Sequence, residues 1–234
     1  MSELASESLN TALSRARRQQ QRNARESEAP TASVRTRVKV PLRFGDGYSV
    51  NAEMITFEGL VDGREHLAIA LGDVAPGQLP LVRMHSECLT GDVFGSARCD
   101  CGPQLREAVE RIAERGGYLL YLRQEGRGIG LYNKLDAYAL QDQGLDTYAA
   151  NLALGLPEDA RDYTAAAQML GTLGADRIDL LSNNPDKSAQ LTERGVVVRD
   201  RVSTGVHATR YNRNYLLAKV TQTHHSIDLA ALTV

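Results

Sequence analysis

The sequence predicts an α/β fold: a mixed sheet with helical cover, an antiparallel β portion toward the N-terminus and a disordered N-terminal tail. Three observations predict it. Apolar and polar residues alternate between residues 36 and 73, strand-like and helix-like segments alternate from residue 79 onward, and residues 1–35 hold few large apolar side chains. Alternation of strands with helices is typical of a parallel or mixed sheet covered by helices.

The composition is that of a globular protein and excludes several functional classes. The chain has 234 residues, of which 42% are hydrophobic and 24% charged. No stretch approaches the ~20 apolar residues that cross a bilayer, and no apolar run resembles a secretory signal. The net charge of -2 and the 5% aromatic content disfavour nucleic-acid binding. We therefore expect neither a membrane nor a nucleic-acid partner.

The antiparallel portion is predicted from alternation and turn residues. Val38, Val40 and Leu42 alternate with polar or turn-forming residues. The pairs at 46–47 and 62–63 are both Asp-Gly, which is a hairpin signal. Residues 1–35 precede this portion and are predicted to be a flexible Arg/Ser/Glu-rich tail.

Beyond residue 79 the period changes between strand and helix. Pro103 suits the first position of a helix, and Gly116 and Gly117 suit its end. The predicted segments are a strand over 79–84, a helix from Pro103, a strand over Tyr118–Leu122, helices over Leu131–Gln143 and Tyr163–Leu173, a strand over Ile178–Leu181, a helix over Asp186–Arg194 and a strand over Val196–Val198.

Three cysteines, Cys88, Cys99 and Cys101, lie within one short window. An odd count without a secretion signal argues against disulfides and for a reducing, cytoplasmic location. Thiolates are strong zinc ligands, and three of them leave a fourth position for water. We favour this open site; the alternative is a closed structural site completed by His85.

Glu87 precedes the first cysteine directly. A glutamate beside zinc cysteines can carry protons to and from metal-activated water, as in nucleobase deaminases. The Pro-Cys-x-x-Cys half of that signature is missing here, so deaminase identity does not follow. The alternative is a surface carboxylate or one that supports a metal ligand.

Three further segments suit phosphate or polar-ring contacts. Glycines over residues 126–130 surround Arg127 and precede a helix, a pattern that favours an anion site, although a tight turn has the same glycines. Asp159 and Arg161 are spaced for a local ion pair. Ser182 and Lys187 lie where a strand ends and a helix opens.

Together these motifs resemble those of the GTP cyclohydrolase II family. The resemblance runs from about Val38 to Lys219 and is densest in His85–Asp92, Arg98–Gly102, Arg123–Arg127, Asn133–Lys134, Ala137–Gly144 and Asn183–Pro185. It implies a catalytic domain over 36–220, followed by a C-terminal tail over 221–234. It also implies that the protein is a homodimer and an enzyme of riboflavin biosynthesis.

The resemblance also implies the ligands and the residues of the site. Cys88, Cys99 and Cys101 would hold catalytic Zn2+, and Mg2+ would accompany the triphosphate. Asp159 matches the family's proposed base, Arg161 its nucleophile or phosphate-directed group, and Tyr138 a tyrosine at the purine end. With Glu87, these are the expected catalytic residues. Contacts to GTP would come from Arg83, Met84, His85, Ser86, Glu87, Gln104, Glu125, Gly126, Arg127, Thr147, Ser182 and Lys187.

The expected reaction opens GTP at C8 and releases formate and pyrophosphate. The sequence departs from relatives at Gly128, where Asn is common, at Tyr132, where a small or aliphatic residue is usual, and at Ser182, where Thr is usual. Two alternatives stay open, the first of them because of these departures. One is a specialised paralogue that stops at the formamide or takes another purine nucleotide. The other is a non-catalytic, zinc-stabilised nucleotide-binding module.

Overall fold

The computed structural model describes residues 31–145, 147–157, 159–213, 216–217 and 220, with no side chain for Thr147 and Tyr148. Residues 1–30 and the predicted C-terminal tail lie outside this description. The first strand begins at Ser33 and so includes the last residues of the predicted N-terminal tail. In the described part of the chain the strands form one mixed sheet flanked by helices, which confirms the predicted α/β class.

The strands of the sheet are β1 Ser33–Arg43, β2 Ser49–Glu58, β3 Leu67–Leu71, β4 Leu81–Ser86, β5 Gly117–Leu122, β6 Arg177–Leu181 and β7 Val197–Val202. They lie side by side in the order β1-β2-β3-β5-β4-β6-β7. The first three pair antiparallel, as predicted, and β3 joins the rest by pairing antiparallel with β5. The Asp-Gly pair at 46–47 forms the turn between the first two strands, where the Gly47 amide donates to the Phe44 carbonyl over 3.1 Å.

The second half of the sheet is parallel, and β4 lies between β5 and β6. The chain passes from β4 to β5 on one side and then returns to β6 on the other. Such a reversal leaves a crevice at the carboxyl ends of the strands, where open α/β sheets bind ligands. The fold therefore directs attention to the residues that follow β4 and β5.

The four predicted helices agree with the structure to within two residues. The structure also contains shorter helices, Leu89–Asp92 and Thr147–Ala153, that the sequence did not predict. Pro103 is the third residue of its helix rather than the first; the first turn tolerates proline because its amides lack intrahelical partners. No described helix has the length and apolar character needed to cross a bilayer. The helices are α1 Leu89–Asp92, α2 Cys101–Arg115, α3 Leu131–Asp142, α4 Thr147–Ala153, α5 Thr164–Thr172 and α6 Pro185–Glu193, with a 3-10 turn at Glu125–Gly128.

Two apolar clusters, one on each face of the sheet, form the core. On one face, Met169 and Leu170 of α5 and Leu191 of α6 pack against alternate residues of the central strands. On the other face, Val109 and Ile112 of α2 pack against the remaining alternate residues. Burial of both faces fixes the register of the central strands, since a shift by one residue would exchange the faces.

Candidate active site

The site begins where β4 and β5 end side by side. Ser86 pairs with Leu122 in the parallel ladder, and the Glu87 amide donates to the Leu122 carbonyl over 2.8 Å. Cys88 follows at the start of α1, while the glycine-rich segment follows β5. Two motifs that are far apart in the sequence therefore leave the sheet together.

The three cysteines converge beside these strand ends. Their sulfur atoms lie within 4.8 Å of one another, and Cys88 Sγ is 3.7 Å from Cys99 Sγ. Tetrahedral zinc with Zn–S bonds of about 2.3 Å places two sulfurs about 3.8 Å apart. The spacing of these soft donors therefore fits zinc.

Two glycines allow the cysteine-bearing segments to approach so closely. A Cβ atom on Gly91 would lie 2.7 Å from Cys99 Sγ and 3.1 Å from Cys88 Sγ. A Cβ atom on Gly102, in the first turn of α2, would lie 2.5 Å from the Gly91 carbonyl oxygen. The space beside these two glycines is therefore already filled, and a side chain at either position would displace a cysteine sulfur or the backbone.

His85 does not belong to this group of potential ligands. Its Nε2 lies 3.0 and 3.1 Å from the two carboxylate oxygens of Asp92. Asp92 also accepts hydrogen bonds from the Cys88 amide over 3.0 Å and from the Tyr121 hydroxyl over 2.9 Å. His85 thus helps to fix the cysteine loop through Asp92, and within the described residues the geometry favours the open site over one closed by this imidazole.

The thiols of the cluster differ in acidity. Hydrogen bonds from Cys101 and Cys99, with the nearby charge of Lys134, hold the pKa of Cys88 far below that of a free thiol. A hydrogen bond with Cys101 lowers the pKa of Cys99, but the hydrogen bond to Cys88 and burial outweigh it and raise the value to about 11. Hydrogen bonds to Cys88 and Cys99 raise the pKa of Cys101 well above normal. A metal ion bound by all three sulfurs would therefore release protons from this cluster.

The glycine-rich segment adopts an unusual backbone. Gly126 and Arg127 both occupy the left-handed region, with φ of 60° and 58°. Among the described residues Arg127 is the only non-glycine with positive φ, a conformation that costs about 1 kcal/mol or more. The Arg127 carbonyl accepts a hydrogen bond from the Ala160 amide over 3.0 Å, which ties this segment to the loop that carries Asp159 and Arg161.

Asp159 and Arg161 form the predicted ion pair. The Arg161 amide and Nε donate to Asp159 Oδ1 over 3.0 and 2.9 Å, and a terminal guanidinium nitrogen contacts Oδ2. Burial raises the pKa of Asp159, but the hydrogen bond and charge of Arg161 outweigh it and hold the pKa below its usual range. Asp159 is therefore ionised at neutral pH and orients the Arg161 guanidinium.

These groups meet in one open cleft, whose empty space, with the solvent at its mouth included, is about 780 Å³. Of the residues predicted for the site, Ser86, Glu87, Cys88, Cys99, Cys101, Glu125, Gly126, Arg127, Tyr138 and Arg161 line it. The metal cluster, the glycine-rich segment and Arg161 thus form one site. The other walls come from Arg98, Ile129, Lys134, Ala137, Gln141 and Asn151.

Several predicted contact residues are not among those that line this cleft, and two of them are buried basic side chains. Arg83 is buried and donates to the Leu181 carbonyl over 3.1 Å and to Gln104 Oε1 over 2.8 Å. Lys187 is buried and donates to the Met84 carbonyl over 2.6 Å. The predicted site residues that do not line the cleft are Arg83, Met84, His85, Gln104, Asp159, Ser182 and Lys187. The side chain of Thr147 lies outside the description.

The three residues at which the sequence was expected to depart from relatives, Gly128, Tyr132 and Ser182, are not among those that line the cleft. Tyr132 is 82% exposed. The Cβ position of Gly128 faces the backbone of Ala160, at 3.1 Å. The Ser182 hydroxyl accepts from the Asn184 amide over 3.1 Å. Their positions give no support to an altered reaction or substrate.

Two charged side chains that line the cleft, Arg98 and Lys134, received no role from the sequence. Lys134 contacts Cys88 Sγ, and the Arg98 guanidinium lies 4.4 Å from the centre of the Tyr138 ring. Both stand inside motifs that carry the family resemblance, so their positions are visible in the sequence. Their contacts are not visible, because Lys134 reaches a cysteine that is 46 residues distant.

A sheet reversal, a three-cysteine cluster and paired arginines in one cleft define the class: an α/β protein with a candidate metal centre beside a candidate anion site. The sequence model of GTP cyclohydrolase II matches residues 34–203. The chain belongs to the GTP cyclohydrolase II family, and its predicted class, a hydrolase of this type, is confirmed.

Similar proteins cover most of the chain. The GTP cyclohydrolase-2 of Vibrio parahaemolyticus is 52% identical over 194 residues, which are 82% of this chain and 98% of that one. The enzyme of the same name from Vibrio cholerae is 51% identical over 194 residues, again 82% and 98%. The riboflavin biosynthesis protein RibBA of Bacillus subtilis is 56% identical over 167 residues, 70% of this chain and 42% of that one.

Proposed function

We propose that this chain is a zinc-dependent hydrolase that opens the imidazole ring of GTP at C8. It releases formate and pyrophosphate and leaves a 2,5-diamino-6-ribosylamino-pyrimidinone 5'-phosphate. The observation that carries the proposal is the shared cleft: three converging sulfurs and the guanidinium groups of Arg127 and Arg161 line the same space. A purine nucleotide has a ring for one end of such a cleft and phosphates for the other.

Cys88, Cys99 and Cys101 would hold the zinc ion and supply three of the four ligands that zinc takes. When bound, zinc supplies a Lewis acid that makes hydroxide available from water near neutral pH. C8 of a purine is a poor electrophile, so the reaction needs such a nucleophile. Three thiolates donate much negative charge, and a nearby base therefore assists.

Glu87 is placed to act as that base. Its carboxylate lines the cleft directly beside Cys88 in the chain, and Arg123 Nε lies 3.0 Å from it. In the proposed mechanism Glu87 accepts a proton from the attacking water and returns it to the ring nitrogen as the C8–N9 bond breaks. The first water gives a formamide, and a second water hydrolyses the formamide to formate.

Tyr138 would serve the purine end of the cleft. The Arg98 guanidinium lies 4.4 Å from the centre of its ring, and this cation–π contact helps to hold the ring at the wall of the cleft. In the proposed mechanism Tyr138 holds or donates a proton during ring opening, at the step in which Glu87 accepts one.

The phosphate end would be held by Arg127 and Arg161, together with Mg2+ on the triphosphate. A third water attacks the α-phosphorus, and the bond to the bridging oxygen breaks to release pyrophosphate. Arg161 neutralises the charge that develops there. A guanidinium group stays protonated at neutral pH and so has no free electron pair with which to attack. We therefore assign Arg161 the role of an electrostatic clamp that Asp159 orients.

The proposal is tested by incubating the purified protein with GTP and Mg2+ and identifying the products by mass spectrometry, with a formate assay in parallel. We expect equal amounts of formate and pyrophosphate. Pyrophosphate without formate would identify the paralogue that stops at the formamide. Intact GTP in the presence of zinc-loaded protein would identify a non-catalytic binding module.

Replacement of Arg161 by alanine is expected to slow pyrophosphate release between about 10- and 100-fold, because one of the cations at the phosphates is lost while Arg127 remains. Nucleotide affinity should change far less, since charge at the α-phosphorus develops mainly in the transition state. Rapid-quench measurement of pyrophosphate, combined with equilibrium binding of a non-hydrolysable GTP analogue, separates the two effects. Arg37→Ala, which breaks the exposed pair with Glu53, is the control. Equal losses of binding and of turnover would contradict the assigned role.

A further inference from the structure

Lys134 lies in the first turn of α3 with its ammonium group buried against the metal cluster. Its Nζ donates to Cys88 Sγ over 3.2 Å, to Thr90 Oγ1 over 2.8 Å and to Glu125 Oε1 over 2.9 Å. The residue is 8% exposed. An ammonium group has three protons to donate, and here each has an acceptor.

Glu125 completes the contact between the metal cluster and the glycine-rich segment. Its Oε1 also accepts from the Gly126 amide over 3.0 Å, and its Oε2 accepts from the Leu89 amide over 2.7 Å. The carboxylate therefore joins α1, which follows the first cysteine, to the segment that carries Arg127. Both of its oxygens are occupied by protein donors, which suits a positioning role.

The positive charge of Lys134 has an effect on the metal centre in addition to fixing the position of Cys88. A divalent ion held by three thiolates carries a net negative charge, and such a group is costly in a buried site unless a cation or hydrogen-bond donor accompanies it. A hydrogen bond from an ammonium group withdraws electron density from a thiolate. The thiolate then donates less charge to the metal, and the metal remains a stronger Lewis acid.

We propose that Lys134 is a positioning residue of the metal centre: held by Glu125, it fixes the Cys88 thiolate and reduces the charge that this thiolate donates to the metal. The inference rests on the proposed metal site. In this proposal Lys134 influences the reactivity of the metal centre without binding the metal, and Glu125 holds Lys134 in place.

The test uses Co2+ alone, added to the chelator-treated full-length protein, because thiolate-to-cobalt charge-transfer bands report the electron density on sulfur. In Lys134→Met the unbonded thiolate becomes a better donor, so we expect the band to move to longer wavelength. Lys134→Gln keeps a neutral donor and should give a smaller shift in the same direction. Lys134→Arg keeps both charge and donor and should restore the wild-type band. The graded series remains informative if the methionine variant folds poorly.

Arg106→Met is the matched control, because Arg106 is a largely buried cation that pairs with Asp46 and Glu110 away from the cysteines. It should lower thermal stability without moving the band. With zinc restored, Lys134→Met should lower kcat about 10- to 100-fold with little change in KM for GTP. An unshifted band in metal-loaded Lys134→Met overturns the inference alone. A wild-type protein without any thiolate-to-cobalt band overturns the proposed metal site and the inference with it.

Discussion

Replacement of Cys99 by serine is expected to abolish ring opening, by at least about 1,000-fold, while the fold is retained. A loss of this size corresponds to about 4 kcal/mol of transition-state stabilisation, within what a metal ion contributes. The serine hydroxyl is a far poorer zinc ligand than the thiolate that it replaces. Cys99 lies between α1 and α2, outside both apolar clusters of the sheet, so its sulfur is not needed for core packing.

The measurement combines zinc content, formate release and circular dichroism of the same preparation. Ser96→Ala lies in the same loop, removes a hydroxyl rather than a sulfur, and should keep both zinc and activity. Unfolding of Cys99→Ser together with loss of zinc would instead indicate a structural metal site, as in the binding-module alternative. Full activity in a zinc-free variant would remove the zinc mechanism altogether.

Gly91→Ala is expected to lower zinc affinity by more than about 100-fold, although residue 91 is not a ligand. The added methyl group would overlap Cys99 Sγ and crowd Cys88 Sγ and Cys101 Cβ. Overpacking of filled space costs up to about 3 kcal/mol, which corresponds to a factor of about 150 in a binding constant. The cysteine side chains can relieve the overlap by rotating away, so the cost falls on metal binding rather than on the sheet. Zinc competition against a chromophoric chelator measures the loss.

Gly171→Ala provides the matched control for this substitution. Gly171 also lies in a helix, but no atom lies within 4 Å of its Cβ position. Alanine there should keep zinc affinity and raise helix stability by up to about 1 kcal/mol. Gly102→Ala, which would meet the Gly91 carbonyl, should act like Gly91→Ala. Unchanged zinc affinity in both the Gly91 and Gly102 variants would show that the packing around the sulfurs is looser than the structure indicates.

The fold was accessible from the sequence wherever burial leaves a periodic pattern. Helices α3, α5 and α6 agree with the prediction to within two residues because one face of each is apolar. The antiparallel strands lie in the predicted region over 36–73, except that β1 begins at Ser33. Strand β4 was predicted to end at Met84, since polar residues follow, but it continues to Ser86 because His85 is buried through its hydrogen bonds to Asp92. Strand β7 runs on to Val202 through charged residues, which a strand at the edge of the sheet tolerates.

The site was accessible only in part, for a different reason. The cysteines, Glu87 and Arg127 stand out by residue type and spacing, and the structure brings them together in the cleft. Local patterns do not distinguish a side chain that lines a cleft from one that supports it. Arg83, a predicted nucleotide contact, is one example: it donates to Leu181 of β6 and to Gln104 of α2, and its place in the sequence does not reveal these contacts.

The hydrogen bond from the Ala160 amide to the Arg127 carbonyl has a consequence for the affinity of the cleft. Because it joins the two arginine-bearing loops, their mutual spacing is set by the backbone before any ligand enters. The conformational entropy of ordering them is then lost during folding rather than at association. Preorganisation of this kind lets electrostatic attraction to an incoming anion appear more fully as affinity.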